Sequence, residues 1–256
     1  ALKLFYDEVP AGIDPLGEQN KLIFMTGPLT GTGVPTAGRY DVVAKSPLTS
    51  LFGAASGGGH FGAELKFAGY DGVVVEGAAP KPVTLVIRDD AVELRDATHL
   101  WGRSTSDTEK MLKEELGDRK VKVACIGPAG ENLVRFAAII NDGTRAAGRC
   151  GLGAVMGAKK LKAIAVRGTK DVHVSDFDGL MEMLDRLREL GRYETLAIGL
   201  STYGTASIVS YVHAIGGFPT HNFKSQFDYE EIEPIDQESI REQLVLKKSA
   251  CFGCPI

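Results

Sequence analysis

Gly57–Gly77 reads GGGHFGAELKFAGYDGVVVEG, and Gly148–Gly168 reads GRCGLGAVMGAKKLKAIAVRG. Laid together without a gap, the two stretches share Gly57/Gly148, Gly62/Gly153, Ala63/Ala154, Val75/Val166 and Gly77/Gly168. Each is a glycine cluster, a short helix-compatible piece and a β-branched strand, so the chain reads as internally duplicated. Arg39 precedes the first copy, and Arg145 and Arg149 flank the start of the second. Glycine lets main-chain N–H groups approach a ligand that a Cβ would hold off, and guanidinium groups bring charge and paired donors to phosphate. The pattern predicts two half-sites for phosphorylated ligand.

Outward from the glycine blocks, the duplication extends. Strands are predicted at Lys21–Thr26, Arg39–Lys45 and Gly72–Glu76, and again at Lys122–Ile126, Leu133–Ile140 and Ala163–Arg167. Each series opens with a strand running into Gly-Pro, at Gly27-Pro28 and Gly127-Pro128. Between the series, Val83–Arg88 and Val92–Arg95 alternate apolar and polar around Asp89-Asp90-Ala91 and read as a hairpin. One helix is predicted at Asp107–Leu116, with Ser106 and Glu109 spaced as a capping box and Gly117 as its stop. Beyond Lys170 the pattern turns helical. Phe177, Leu180, Met181, Leu184 and Leu187 keep helical spacing between Ser175 as N-cap and Gly191 as terminator, and further helices are predicted at Thr205–Ile215 and Gln237–Leu246. The expected fold class is α+β: a duplicated β-rich domain of two sheets over 1–172, then the incomplete start of a helical domain over 173–256.

The 256 residues, 44% hydrophobic and 24% charged, suffice for a substantial core. A net charge of −4 without a dense basic run argues against a nucleic-acid surface. No apolar run approaches the roughly 20 residues that cross a bilayer, and no signal peptide opens the chain, so no membrane partner is predicted and the cytoplasm is the expected compartment. The chain starts at Ala1 without a methionine and ends directly after CFGCPI, which reads as a fragment or a processed chain. Cys125 and Cys150 stand alone, while Cys251 and Cys254 form a C-x-x-C suited to metal or redox chemistry rather than to a disulfide framework.

Gly57, Gly59 and Gly62 also satisfy G-x-G-x-x-G, with Glu76 where a ribose-binding acid could stand. Against a dinucleotide site, Pro47–Ser56 is a poor strand and only six residues separate Gly62 from Gly69. A nucleotide-dependent dehydrogenase at Gly57–Gly62, and glycines that merely permit tight packing, are the alternatives. Histidines 60, 99, 173, 213 and 221 show no ligand spacing, and Glu64 and Lys66 read as exposed charges on a short helix.

Longer motifs decide among these. GPLTGT at Gly27–Thr32, GRYDVVAKSPLT at Gly38–Thr49, GGHFGAELKFAGYD at Gly58–Asp71, IGPAGENLVRFAAIINDGTRAAGR at Ile126–Arg149 and GAVMGAKKLKAIAVRG at Gly153–Gly168 resemble the aldehyde ferredoxin oxidoreductases, and the terminal CFGCPI resembles the start of their iron-sulfur motif. The resemblance implies a tungsten (or molybdenum) ion held by two pterins over the duplicated domain. It implies pterin contacts at Arg39, Ser56, Gly58, Arg145, Ala146 and Gly148, with Ser56 and Ala146 offering carbonyls to a magnesium ion bridging the pterin phosphates. Cys251 and Cys254 would be two ligands of a 4Fe-4S cluster. The implied activity is oxidation of a small-molecule aldehyde to a carboxylic acid with ferredoxin as electron acceptor, and a homo-oligomer of the full-length enzyme is an allowed assembly. Relatives in the family also act on other substrates, aromatic thioesters among them. Two departures stand out: Ser56 lies where the best-known members carry an amide side chain, and Cys150 where glycine is common. No catalytic residue is assigned, and the chain by itself is expected to be inert. A non-catalytic pterin-binding scaffold is the remaining alternative.

Overall fold

Leu22–Thr26 and Tyr40–Lys45 form strands β1 and β2 of the computed structural model, which describes residues 1–225, 228–245 and 247–254. Two compact units separate: Ala1–Ser175 with Cys251–Gly253, and Asp176–Ala250 with Cys254.

In the first unit a short helix, α1 (Leu2–Glu8), precedes β1, and β2 leads to β3 (Phe52–Gly57), helix α2 (Phe61–Phe67) and β4 (Gly72–Val75). All pairings here are antiparallel, in the order β3-β2-β1-β4. The hairpin β5 (Val83–Arg88) and β6 (Ala91–Asp96) follows, then α3 (Thr105–Glu115), β7 (Lys122–Cys125), α4 (Pro128–Glu131), β8 (Ile139–Asn141), β9 (Arg145–Ala147), α5 (Leu152–Ala158) and β10 (Leu161–Arg167). The second sheet has the order β6-β5-β10-β7-β8-β9. Four of its strands, read as β9-β8-β7-β10, repeat the order and antiparallel pairing of β3-β2-β1-β4. The duplication seen in the glycine blocks is therefore a duplication of topology, with β5 added parallel to β10.

The α2 and α5 helices occupy corresponding places, and each packs on strands of both sheets. α5 is apolar or small on all sides and almost wholly buried, as a helix without a solvent face requires, while α2 buries Phe61–Leu65 and leaves Lys66 and Phe67 half-buried. Phe61 and Leu65 from α2 and Leu152, Val155 and Met156 from α5 join Leu22, Phe24, Tyr40, Ile164 and Val166 in the main core. The later glycines of the second block serve this packing. A Cβ on Gly157 would lie 2.0 Å from the Gly130 oxygen, and one on Gly168 2.2 Å from the Ala68 nitrogen. A smaller core beneath α3 joins Leu112 and Leu116 to Val86, Leu100 and Val123.

Several boundaries differ from expectation for local reasons. Helix α3 is capped by Ser104, whose Oγ accepts the Asp107 N–H at 3.1 Å, not by a Ser106/Glu109 box. Glu109 instead pairs with Lys113 at 2.5 Å and accepts the Gly143 N–H. The stop at Gly117 is as expected: φ is +65°, and the N–H groups of Gly117 and Asp118 return to the Glu114 and Lys113 carbonyls. The Leu133–Ile140 strand shrinks to β8, because Leu133 takes φ +57° and the Val134 N–H closes back on Ala129. Strand β9 adds to the strands expected from the sequence, and β3 occupies part of Pro47–Ser56, whose composition makes a poor strand.

In the second unit, α6 (Phe177–Tyr193) is capped by Asp176, which accepts the Gly179 N–H at 2.9 Å, rather than by Ser175. Gly191 lies inside α6, which ends at Glu194, where α7 (Thr195–Tyr203) begins. Of the expected Thr205–Ile215 helix, Gly204–Ile208 is a 3-10 turn and α8 is Val209–Ala214. Helices α9 (Tyr229–Ile232) and α10 (Gln237–Leu244) follow, Leu246 lying outside the described residues. Among the described residues no helix is long and apolar enough to cross a membrane.

Candidate functional site

β3 and β9 are edge strands of different sheets, and they contact one another. Along β3, Gly53, Ala55 and Gly57 are buried while Phe52, Ala54 and Ser56 are exposed, so its outer face presents Ser56. Ser56 is the penultimate residue of β3, and Ala146, also exposed, is the penultimate residue of β9. By ladder register Ser56 opposes Asp41 and Ala146 opposes Ile140, equivalent places in the two repeats. The Ser56 hydroxyl donates to the Asp41 carboxylate.

Just beyond β3 the chain passes through Gly58 and Gly59 into α2, and the second repeat fixes this turn. The buried Tyr40 hydroxyl donates to Asn141 Oδ1 at 2.9 Å; Asn141 Nδ2 donates to the Gly58 carbonyl at 2.9 Å and to Asp142 Oδ2 at 2.8 Å; the same Oδ2 accepts the His60 N–H at 2.6 Å. Burial, with the Asp142 charge second, pushes the Tyr40 phenol above its usual range, so it remains a donor. Gly59 has φ +88°, and a Cβ there would fall 2.2 Å from Asp142 Oδ2. Only glycine allows this approach.

On the other side of the turn lies the start of the C-x-x-C. The Phe252 N–H donates to the Gly59 carbonyl at 3.0 Å, and Cys251 Sγ sits 3.0 Å from where a Gly58 Cβ would be. The Phe252 ring packs edge-on against Phe67 and His60, with centroids 5.5 and 6.5 Å apart. Its carbonyl would lie 2.7 Å from a Gly38 Cβ, beside Arg39. Thus Gly58 and Cys251, singled out separately in the sequence, are brought together. Pro255 and Ile256 of CFGCPI lie outside the described residues.

Arg39 and Arg149 are exposed, and among the described residues neither guanidinium has a hydrogen-bond or ion-pair partner. Arg145 is half-buried and engaged. Arg39 borders a cavity of about 430 Å³ with Thr26, Gly27, Pro28 and Asp41. At Gly148 a Cβ would meet nothing nearer than the Ala146 Cβ at 3.7 Å. Protein packing does not demand glycine there, which leaves an open approach to the backbone. These features, exposed unpaired guanidiniums beside accessible backbone on both repeats, fit an anionic ligand such as a pterin phosphate. No group of three or more His, Cys, Asp or Glu side chains able to hold a metal occurs among the described residues.

Other expectations change. Glu64 is buried rather than exposed: it pairs with Arg167 Nη1 at 2.9 Å and accepts the Gly168 N–H at 3.0 Å, tying α2 to the end of β10. Lys66 is half-buried and pairs with Asp71 at 2.5 Å. Cys150 takes φ +63°, and its carbonyl accepts from Ser46 Oγ at 2.8 Å. In the gapless alignment it stands opposite Gly59, so both repeats demand the left-handed conformation there. The dinucleotide reading fails on topology, because β3 and β4 are not neighbours and β3 pairs only antiparallel with β2. Moreover Gly57, Gly59 and Gly62 face Tyr40, Asp142 and again Tyr40 rather than open space. Asn141 and Asp142 were missed, since N-D-G after a strand signals only a turn.

The profile of the aldehyde ferredoxin oxidoreductase N-terminal domain matches residues 1–168, and that of the same enzymes' domains 2 and 3 matches residues 181–256. The chain belongs to the aldehyde ferredoxin oxidoreductase family. It is 49% identical over 257 residues to the tungsten-containing aldehyde ferredoxin oxidoreductase of Thermococcus kodakarensis, covering 100% of this chain and 42% of that protein. The Pyrococcus horikoshii enzyme of the same name is 50% identical over 97% of this chain and 41% of its own length. A more distant family relative, the WOR-like subunit of an aliphatic sulfonate oxidoreductase from Pyrococcus furiosus, is 36% identical over 95% of this chain and 40% of its own length. Among solved structures, the active-site complex of benzoyl coenzyme A reductase with 1,5-dienoyl-CoA superposes with a TM-score of 0.84 at 31% identity, over 99% of this chain and 40% of that one. The chain thus spans about two fifths of the length of the curated relatives it matches.

Proposed function

We propose that this chain is the cofactor-binding base of a tungsten (or molybdenum) bispterin oxidoreductase that oxidises aldehydes to carboxylic acids and passes electrons through a 4Fe-4S cluster to ferredoxin. The observation that carries the reading is the meeting of two equivalent edge strands, β3 and β9, whose penultimate residues Ser56 and Ala146 are exposed, with the exposed guanidiniums of Arg39 and Arg149 at the neighbouring chain segments. In this reading Arg39, Gly58, Arg145 and Gly148 hold the two pterins. The main-chain carbonyls of Ser56 and Ala146 would hold a magnesium ion accompanying the pterins, oxygen donors of the kind that hard cation selects. The bound metal would supply two-electron redox chemistry. The chain's own contribution is to neutralise phosphate charge, to fix the pterins on a rigid double sheet and to offer two thiolates, Cys251 and Cys254. The duplicated domain is taken to end near residue 172, with 173–256 opening the next domain. Substrate pocket and remaining cluster ligands would come from outside the chain, which by itself would not oxidise aldehydes.

Metal analysis of the full-length protein tests this. Near-stoichiometric tungsten or molybdenum with about four irons per chain is expected, and C251S should lose iron while keeping tungsten. Full iron in C251S would remove the cluster assignment; absence of both metals from matured protein would remove the whole reading.

A further inference from the structure

The Gly58–His60 turn is held from two sides by protein groups distant in the sequence. From the second repeat come Asn141, 1% exposed, and Asp142, which together take up the Gly58 carbonyl and the His60 N–H. From the far end of the sequence comes Phe252, whose N–H is received by the Gly59 carbonyl, with Cys251 Sγ against Gly58. Between these grips lie only two glycines. A Cβ on Gly59 would collide with Asp142 at 2.2 Å, and one on Gly58 would crowd Cys251 Sγ at 3.0 Å.

A turn of this kind has little stiffness of its own, because glycine backbone is the most permissive in the chain. Its shape is therefore imposed by Asn141 and Asp142. The charged Oδ2 makes the stronger bonds, and Tyr40 locks the Asn141 amide so that its Nδ2 must face Gly58. Lys122 Nζ, 3.9 Å from Asp142 Oδ1, is the cation that faces this carboxylate.

We infer that Asn141 and Asp142 are positioning residues for the C-x-x-C: by fixing the Gly58-Gly59-His60 backbone they set the seat of Phe252 and the direction of the Cys251 sulfur. The geometry couples the second repeat to the cysteine through one turn of the first. The spectroscopic arm rests on the cluster reading above; the exchange arm does not.

The test uses the full-length protein and D142A, which removes the acceptor of the His60 N–H. Hydrogen–deuterium exchange is expected to accelerate about tenfold, the worth of one hydrogen bond, at residues 58–60 and together with it at 251–253. The g values and midpoint potential of the reduced cluster should move as well. D142N, which keeps an acceptor oxygen without the charge, should fall between wild type and D142A in every readout. Faster exchange at 58–60 with residues 251–253 unchanged, or no change at either, overturns the inference. Should D142A not fold, D142N carries the same comparison with the same two overturning results. C251S separates the two readings: if it retains its iron the cluster assignment fails, while the exchange result still decides whether the turn positions Cys251.

Discussion

Replacing Lys162 by Met should destabilise the first unit far more than any surface charge change. Lys162 is fully buried in β10, and its ammonium meets Glu131 Oε1 at 2.5 Å and the Arg103 carbonyl at 2.9 Å. The Glu131 side chain is 4% exposed, and its other oxygen accepts the Gly102 N–H at 2.7 Å. Met fills the stem of the lysine but strands a buried carboxylate, and breaking a buried pair from one side costs about 3–5 kcal/mol. With a urea dependence of about 2 kcal/mol per molar, the midpoint should fall by about 2 M. Trp101, the one tryptophan of the chain, adjoins the Gly102–Arg103 segment that the pair tethers, and Lys160 Nζ lies 5.0 Å from its ring centroid. Its fluorescence therefore reports this unfolding. Adding E131Q to K162M removes the stranded charge and keeps an acceptor for Gly102, so the double variant should recover at least about 2 kcal/mol of the loss. A single-variant cost below about 1 kcal/mol, or a double variant as unstable as the sum of both singles, would refute the argument that these charges are buried and coupled.

Four further outcomes follow from the packing. Burial pushes the Cys125 thiol up to about 12 from its ordinary 9.0, so it should resist a thiol reagent at pH 8 that labels the half-buried Cys150. Because the folded state holds that proton more tightly, its contribution to stability is full below pH 9 and is lost as pH rises toward 12; unfolding midpoints unchanged by C125A across that window would contradict this. C150G should raise thermal stability by relieving about 1 kcal/mol of left-handed strain at φ +63°, and a lower melting temperature would show that the sulfur's packing outweighs the strain. G168A should cost several kcal/mol, since its Cβ would be 2.2 Å from the Ala68 nitrogen, and near-wild-type stability in urea would mean that α2 can slide away from β10.

The parts of the fold that were legible are those whose signal is local. Branched residues marked β1, β2, β4, β5, β7 and β10, and Gly117 marked the end of α3. The strands without a propensity signal, β3 and β9, read FGAASG and RAA, with no β-branched residue in either. Their strand character comes from pairing, β3 with all six residues of β2, which no window of a few residues contains. Small residues are what allow two sheet edges to contact each other and leave backbone open, and they are also what erases a propensity signal. Asn141 and Asp142 were hidden for the complementary reason. Their partners Tyr40, Gly58 and His60 lie 101, 83 and 82 residues away along the chain. β3, β9, Asn141 and Asp142, where local rules give no signal, are thus where the two repeats meet around the Gly58–His60 turn, as expected where local preference yields to the needs of a site.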